Sequence, residues 1–237
     1  MHRNFLFDLD QTLLDFHASE RIALEKVLVG NGLSYSDDIY QDFKACNKSL
    51  WLELEKGTIS RKELFTRRFL YIFGKCEGDS SDLDPMKINN DFIRTMSENS
   101  VLMDGAMELL ERIKNEIEDA RIYIVSNGAT INARGRILSA GMDRFIDGLF
   151  VSEDMGVNKP AVEYFDLVLE KIQEPKEACI IIGDSLTSDM QGAKNASMTS
   201  VWFMPKGDIE AAVKTYNIDF CADSFDELFE VLKKWAS

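Results

Sequence analysis

Short apolar runs alternate with amphipathic stretches along most of the chain. The runs are FLFDL at 5–9, RIYIVSN at 121–127, LFVS at 149–152, ACIIIGD at 178–184 and SVWFM at 200–204. In IYIV and CIII the apolar residues are continuous rather than alternating. That pattern predicts strands of a parallel sheet covered on both faces. Between the runs, Met107, Leu110, Ile113 and Ile117 recur at helical spacing, as do Phe165, Val168, Leu169 and Ile172. Pro160 stands where a helix is expected to begin, a position that tolerates its missing N–H. Ser224-Phe225-Asp226-Glu227 reads as a capping box for a last helix with Leu228, Val231, Leu232 and Trp235 on one face. Strand–helix alternation of this kind predicts an α/β fold with right-handed crossovers.

One region breaks the alternation. From residue 15 to 98 only helical periodicity is found. Ile39, Phe43, Cys46, Leu50 and Leu54 share a face; Leu64, Phe65, Phe69 and Phe73 suggest a second helix, and Ile88, Phe92 and Met96 a third. A loop at 74–84 separates two of them. The expected organisation is a sheet domain from residues 1–14 and 99–237, with an all-helical domain of residues 15–98 inserted after the first strand. The crossings at 12–16 and 99–104 are the expected hinges.

Composition narrows the function. Lys and Arg number 27 against 41 Asp and Glu, for a net charge of −14. Such a chain is repelled by nucleic acid and by anionic membrane, whose binding relies on clustered basic residues. No run approaches the length of a transmembrane helix, and MHRN lacks the apolar core of a secretory signal. Cys46, Cys76, Cys179 and Cys221 are scattered, with no CxxC pair. Idle thiols in a reducing, cytoplasmic setting are the expectation.

In an open α/β sheet, ligands bind beyond the carboxyl ends of the strands. The first strand ends in Asp8-Leu9-Asp10-Gln11-Thr12 and the second in Ser126-Asn127-Gly128. The strand at 178–183 ends in Gly183-Asp184-Ser185, with Asp189 following, and Lys159 precedes a helix. Carboxylates converging on one rim repel each other unless a hard divalent cation joins them; Mg²⁺, with oxygen ligands, suits Asp8 and Asp184. Lys159, the Ser126 hydroxyl and the N–H groups of Asn127 and Gly128 are candidates for holding phosphate oxygens. The combination points to phosphoryl transfer, with Asp8 as nucleophile and Asp10 as acid and base. Taken singly, each motif reads as a turn or a solvated side chain; their ordered conjunction at strand ends favours the site.

These four motifs resemble those of the haloacid dehalogenase (HAD) superfamily of phosphohydrolases. The resemblance covers the whole chain. It implies a Rossmann-like core, a helical cap between the first and second motifs, and Mg²⁺ held by the Asp8 carboxylate, the Asp10 main-chain carbonyl and Asp184. It places Thr12, Ser185 and Asp189 behind the ligands, Asp189 orienting a metal water or Lys159. Within the superfamily, Asn47-Lys48-Ser49-Leu50-Trp51, Gln11 and Ser152–Val157 are similar to YjjG-type pyrimidine 5′-nucleotidases. Met103-Asp104-Gly105 departs from the usual Pro-Gly. A nucleoside 5′-monophosphate is the substrate so implied, with Phe16, Asn47, Lys48 and Trp51 as candidate contacts to the leaving group. Packing within the cap is the alternative for these residues.

Rival readings keep parts of the site. A phosphoglycolate or sugar-phosphate phosphatase differs only in cap residues, and a phosphomutase retains both aspartates. A haloacid dehalogenase uses Asp8 but has no need of Asp10 or of a metal at Asp184. A non-catalytic phospho-acceptor, like a receiver domain, has no use for Asp10 and carries no such insert.

Overall fold

The computed structural model describes residues 2–55 and 57–237. Six strands form one parallel sheet: β1 (Arg3–Phe7), β2 (Ala120–Ser126), β3 (Gly148–Val151), β4 (Cys179–Gly183), β5 (Thr199–Phe203) and β6 (Phe220–Ala222). Their order is β3-β2-β1-β4-β5-β6. Four helices, α1 (Phe16–Gly30), α2 (Asp37–Glu55), α3 (Arg61–Phe73) and α4 (Pro85–Glu98), come directly after β1. Seven more follow: α5 (Ala106–Glu116), α6 (Thr130–Ser139), α7 (Ser152–Met155), α8 (Val162–Ile172), α9 (Gln191–Ala196), α10 (Ile209–Tyr216) and α11 (Phe225–Ala236). The chain divides into two compact units, residues 1–16 with 100–237, and His17–Asn99. Among the described residues no helix is long and apolar enough to cross a membrane.

The sheet unit explains the continuous apolar runs. Successive residues of a strand face opposite sides, and both sides are covered. Phe5 and Phe7 of β1 join a core with residues of α5, α6 and α11. Leu6, between them, joins a second core with Tyr164, Phe165 and Val168 of α8. β1 sits in the middle, pairing β2 through Phe7↔Ile124 and β4 through Phe7↔Ile182. The strand order reverses beside β1, so the residues after β1, β2 and β4 share one crevice.

The helical unit has an aromatic core. Phe43, Phe69 and Phe92 pack with ring centroids 5.5–5.7 Å apart. Arg68, only 4% exposed, stands among them with its Cζ 4.9 Å from the Phe92 ring centre. Its guanidinium donates to Asn89 Oδ1 and Asn47 Oδ1, while Asn47 Nδ2 donates to Glu20 Oε1. Burial pushes the Arg68 guanidinium down to about 10, with Glu20 opposing the shift.

Two expectations change at helix ends. The helix expected at Pro160 starts at Val162, and the Lys159–Pro160 peptide is cis. Ser224 caps α11 by accepting from the Glu227 N–H, but the Glu227 carboxylate accepts from the Asp223 N–H instead of closing the box on Ser224. A complete box stands at the start of α3, where Ser60 and Glu63 satisfy each other's backbone N–H. Replacing Ser60 with Ala should lower stability by about 1 kcal/mol; urea unfolding followed by circular dichroism measures it as a lower midpoint.

Candidate active site

The β1 strand runs out at Phe7, and the Asp8 N–H still donates to Ile182 O of β4 at 2.8 Å. A tight turn follows. Gln11 adopts φ +60°, its N–H donates to Leu14 O, and the Leu13 and Leu14 N–H groups return to Leu9 O. The turn carries Asp8 and Asp10 at the head of the sheet with the Leu9 side chain buried between them in sequence.

Lys159 organises the buried part. Its Nζ donates to Asp8 Oδ1 at 2.7 Å, to Asp189 Oδ1 at 2.6 Å and to the Val125 carbonyl at 2.8 Å. All three ammonium donors are thereby used. The Lys159 backbone is clamped by Asn127, which accepts from the Lys159 N–H through Oδ1 and donates to the Lys159 carbonyl through Nδ2.

Asp189 reaches Lys159 from a π-helical turn, Leu186–Met190. Its other oxygen accepts from the Ser185 N–H at 3.1 Å. Gly183 makes this placement possible, because a Cβ there would lie 2.2 Å from Asp189 Oδ2. Asp184, between them, is fixed through its backbone: the Trp202 indole N–H donates to the Asp184 carbonyl at 2.9 Å.

Carboxylate oxygens of Asp8, Asp184 and Asp189 all lie within 4.8 Å of one another. One ammonium cannot neutralise this group. Burial pushes Asp8 up to about 8, against the pull of Lys159, and Asp189 and Asp10 add to the rise. Burial likewise lifts Asp184 to about 6, with Asp189 adding to it. Burial acts to lower Lys159, but the charges of Asp189 and then Asp8 outweigh it and raise the ammonium above its usual range. Both Asp189 oxygens already accept hydrogen bonds, whereas Asp8 has only Oδ1 so engaged. The donor set therefore fits a hard divalent cation at Asp8 and Asp184, with Asp189 behind them.

Other expected residues fare differently. Ser126 ends β2 and is buried; its Oγ accepts from the Gly128 N–H, so in this state that amide points at the serine. Thr12 is fully buried, but its hydroxyl has no hydrogen-bond partner among the described residues; backbone bonds close the turn instead. Ser185 caps the π-helical turn by accepting from the Ser188 N–H. Asn47, a candidate leaving-group contact, has a buried amide that donates to Glu20 and accepts from Arg68. Lys48 is exposed, and Phe16 and Trp51 are half-buried.

The sequence reading missed several positioning groups: the Asn127 side chain, Trp202 and Arg136. Arg136 Nη1 lies 2.5 Å from Asp10 Oδ1. A signal existed for it, since Arg136 falls on the apolar face of α6 with Ala133 and Ile137.

The raised carboxyls carry a prediction. An unfolded aspartate titrates near 3.8, so between about 4 and about 8 the folded protein holds protons that the unfolded chain has released. Stability contributed by Asp8 and Asp184 therefore falls as pH rises through that window, while the raised Lys159 stays charged in both states. Urea midpoints in the presence of a chelator should fall from pH 4 to pH 8 relative to those in millimolar Mg²⁺. Parallel curves would mean that the cation does not bind here.

The family profile of haloacid dehalogenase-like hydrolases matches residues 2–197. YfnB of Bacillus subtilis, a HAD-hydrolase by name, is 32% identical over 234 residues, 98% of this chain and 95% of that one. Its crystal structure, bound to magnesium, superposes with a TM-score of 0.84 and covers 98% of each chain. The pyrimidine 5′-nucleotidase PynA of Streptococcus pneumoniae is 32% identical, covering 86% of this chain and 84% of that one. The pyrimidine 5′-nucleotidase YjjG of Escherichia coli is 30% identical, covering 83% of each. With the sheet order and the strand-end residues, these matches establish that the chain belongs to the haloacid dehalogenase-like hydrolases.

Proposed function

We propose that this protein is a Mg²⁺-dependent phosphatase that hydrolyses nucleoside 5′-monophosphates through a phosphoaspartate on Asp8. The observation that carries the reading is the state of Asp8. One of its oxygens is fixed by Lys159, in a buried acidic group that also contains Asp184 and Asp189.

In the first step an oxygen of the Asp8 carboxylate attacks phosphorus, and the bond from phosphorus to the ester oxygen breaks. Asp10 gives its proton to the departing oxygen. In the second step water attacks the phosphorus of the acyl phosphate, and Asp10 takes the proton back. The bond from phosphorus to Asp8 then breaks, releasing phosphate and restoring the carboxylate. The Ser126 hydroxyl donates to a phosphoryl oxygen throughout, while the Lys159 charge, its donors already engaged, attracts the incoming group electrostatically. Bound at Asp8, Asp184 and the Asp10 carbonyl, Mg²⁺ supplies neutralisation of the transferring phosphoryl charge. Asp189 keeps Lys159 in place.

Asp10 also separates this reading from halide displacement, which leaves no oxygen to protonate. The nucleotide assignment is supported by PynA and YjjG, both pyrimidine 5′-nucleotidases by name. Lys48, which is exposed, and Trp51 and Phe16, which are half-buried, are the proposed leaving-group contacts.

The test is phosphate release from UMP, dUMP and dTMP, with phosphoglycolate and sugar phosphates alongside. Release should need Mg²⁺ and vanish in Asp8→Asn, while Asp10→Asn should slow turnover by about 10²–10⁴-fold. Full activity in Asp8→Asn would end the mechanism. A preference for sugar phosphates would end only the nucleotide assignment.

A further inference from the structure

We infer that Arg136 is a positioning residue for Asp10, holding one oxygen of that carboxylate so that the other faces the leaving group. The inference rests on the acid–base role proposed for Asp10, and the observations that carry it are geometric. Arg136 is 1% exposed and sits on α6 between Ala133 and Ile137, both packed in the sheet core. Its Nη1 is 2.5 Å from Asp10 Oδ1. Its Cζ lies 5.6 Å from the centre of the Phe16 ring. The guanidinium thus stands against the turn that follows β1, beside an aromatic ring and a carboxylate.

An aliphatic side chain would fill this position without burying a charge, and burying an ion is unfavourable unless it is paired. The comparison with Arg68 is informative. Arg68 is also buried, but its donors reach Asn47 and Asn89 and tie three helices of the insert together. Arg136 Nε and Nη2 have no hydrogen-bond partner among the described residues. Asp10 is the acidic side chain with which it pairs. A cation kept to stitch elements together would use its fork; this one directs its charge at a single oxygen.

The carboxylate is suited to being held from one side. Oδ1 is buried and, among the described residues, is held by the charge of Arg136 rather than by a hydrogen bond, while the Asp10 side chain as a whole is 36% exposed, so the accessible surface lies away from Arg136. Asp10 is carried by a turn, and α6 is a regular helix anchored in the core. Contact from the helix limits the rotation of a side chain that the turn alone leaves free. As the proton leaves Asp10 for the ester oxygen, the carboxylate that forms already has its counter-charge in place.

The experiment compares two phosphate esters on the Mg²⁺-loaded enzyme: a nucleoside 5′-monophosphate and p-nitrophenyl phosphate. An alkoxide needs a proton as it departs, whereas p-nitrophenolate leaves readily without one. In Arg136→Met, kcat/KM for the nucleotide should fall about 100-fold and that for p-nitrophenyl phosphate less than about fivefold, because only the first depends on the placed acid. Arg136→Lys should recover part of the nucleotide activity. In an Asp10→Asn background, Arg136→Met should add no further loss, since its effect passes through Asp10.

Equal losses on both esters, no loss on either, or additive losses with Asp10→Asn would overturn the inference. Should Arg136→Met not fold, the ester comparison in Arg136→Lys decides: a larger loss on the nucleotide supports the inference and an equal one overturns it. Wild-type enzyme inactive on both esters would instead point to failure of the proposed phosphatase activity.

Discussion

A single ammonium group holds the site together. Lys159 Nζ has three donors and gives one to each of three parts of the fold: Asp8 after β1, the Val125 carbonyl in β2, and Asp189 after β4. None of these acceptors is near another in sequence. The sheet order places them side by side, since β2 and β4 both pair with β1. With every donor used, the lysine has one position, and it sets the position of the Asp8 oxygen it holds. The same economy leaves the cluster short of positive charge. Two carboxylates share one cation and a third, Asp184, stands close by; burial first, and this crowding with it, raises the proton affinity of Asp8 and Asp184.

What holds Lys159 is therefore as much a part of the site as what touches phosphate. Asn127 clamps its peptide group from both sides. Gly183 leaves the space that the Asp189 carboxylate fills, and the π-helical turn supplies the extra residue that brings Asp189 back towards the strand. Such turns are rare in helices and cluster at functional sites. Trp202, on β5, fixes the Asp184 peptide at the opposite edge. Each of these groups acts on another protein group, and the strand ends inherit their alignment from the sheet beneath.

This division explains what the sequence made legible. Asp8, Asp10, Ser126, Lys159, Asp184 and Asp189 stand at or beyond strand ends, and strand ends are marked by where apolar runs stop. The parallel sheet was legible for the same reason: both faces are covered, so its strands are unbroken apolar runs. β6 escaped notice because Phe220–Ala222 is short and at the edge. Residues whose role depends on a partner far along the chain left weaker marks. Asn47 reads as a leaving-group contact or as packing within the cap; its partners Glu20 and Arg68 lie on α1 and α3. The resemblance places Thr12 behind the ligands, but backbone bonds close that turn and its buried hydroxyl has no hydrogen-bond partner among the described residues.

The two buried arginines show how far pattern alone can go. Both stand on helix faces that are otherwise apolar, Arg68 with Leu64, Phe69 and Ile72, Arg136 with Ala133 and Ile137. A charge on an apolar face announces a buried partner in either case, because an unpaired ion there would be expelled or neutralised. It does not announce which partner. Arg68 finds neutral amides and an aromatic cage, so its charge is diffuse and its surroundings lower its affinity for the proton. Arg136 finds the carboxylate two residues beyond the proposed nucleophile. The difference between a structural cation and one tied to chemistry lies in that choice of partner, which the order of the strands decides.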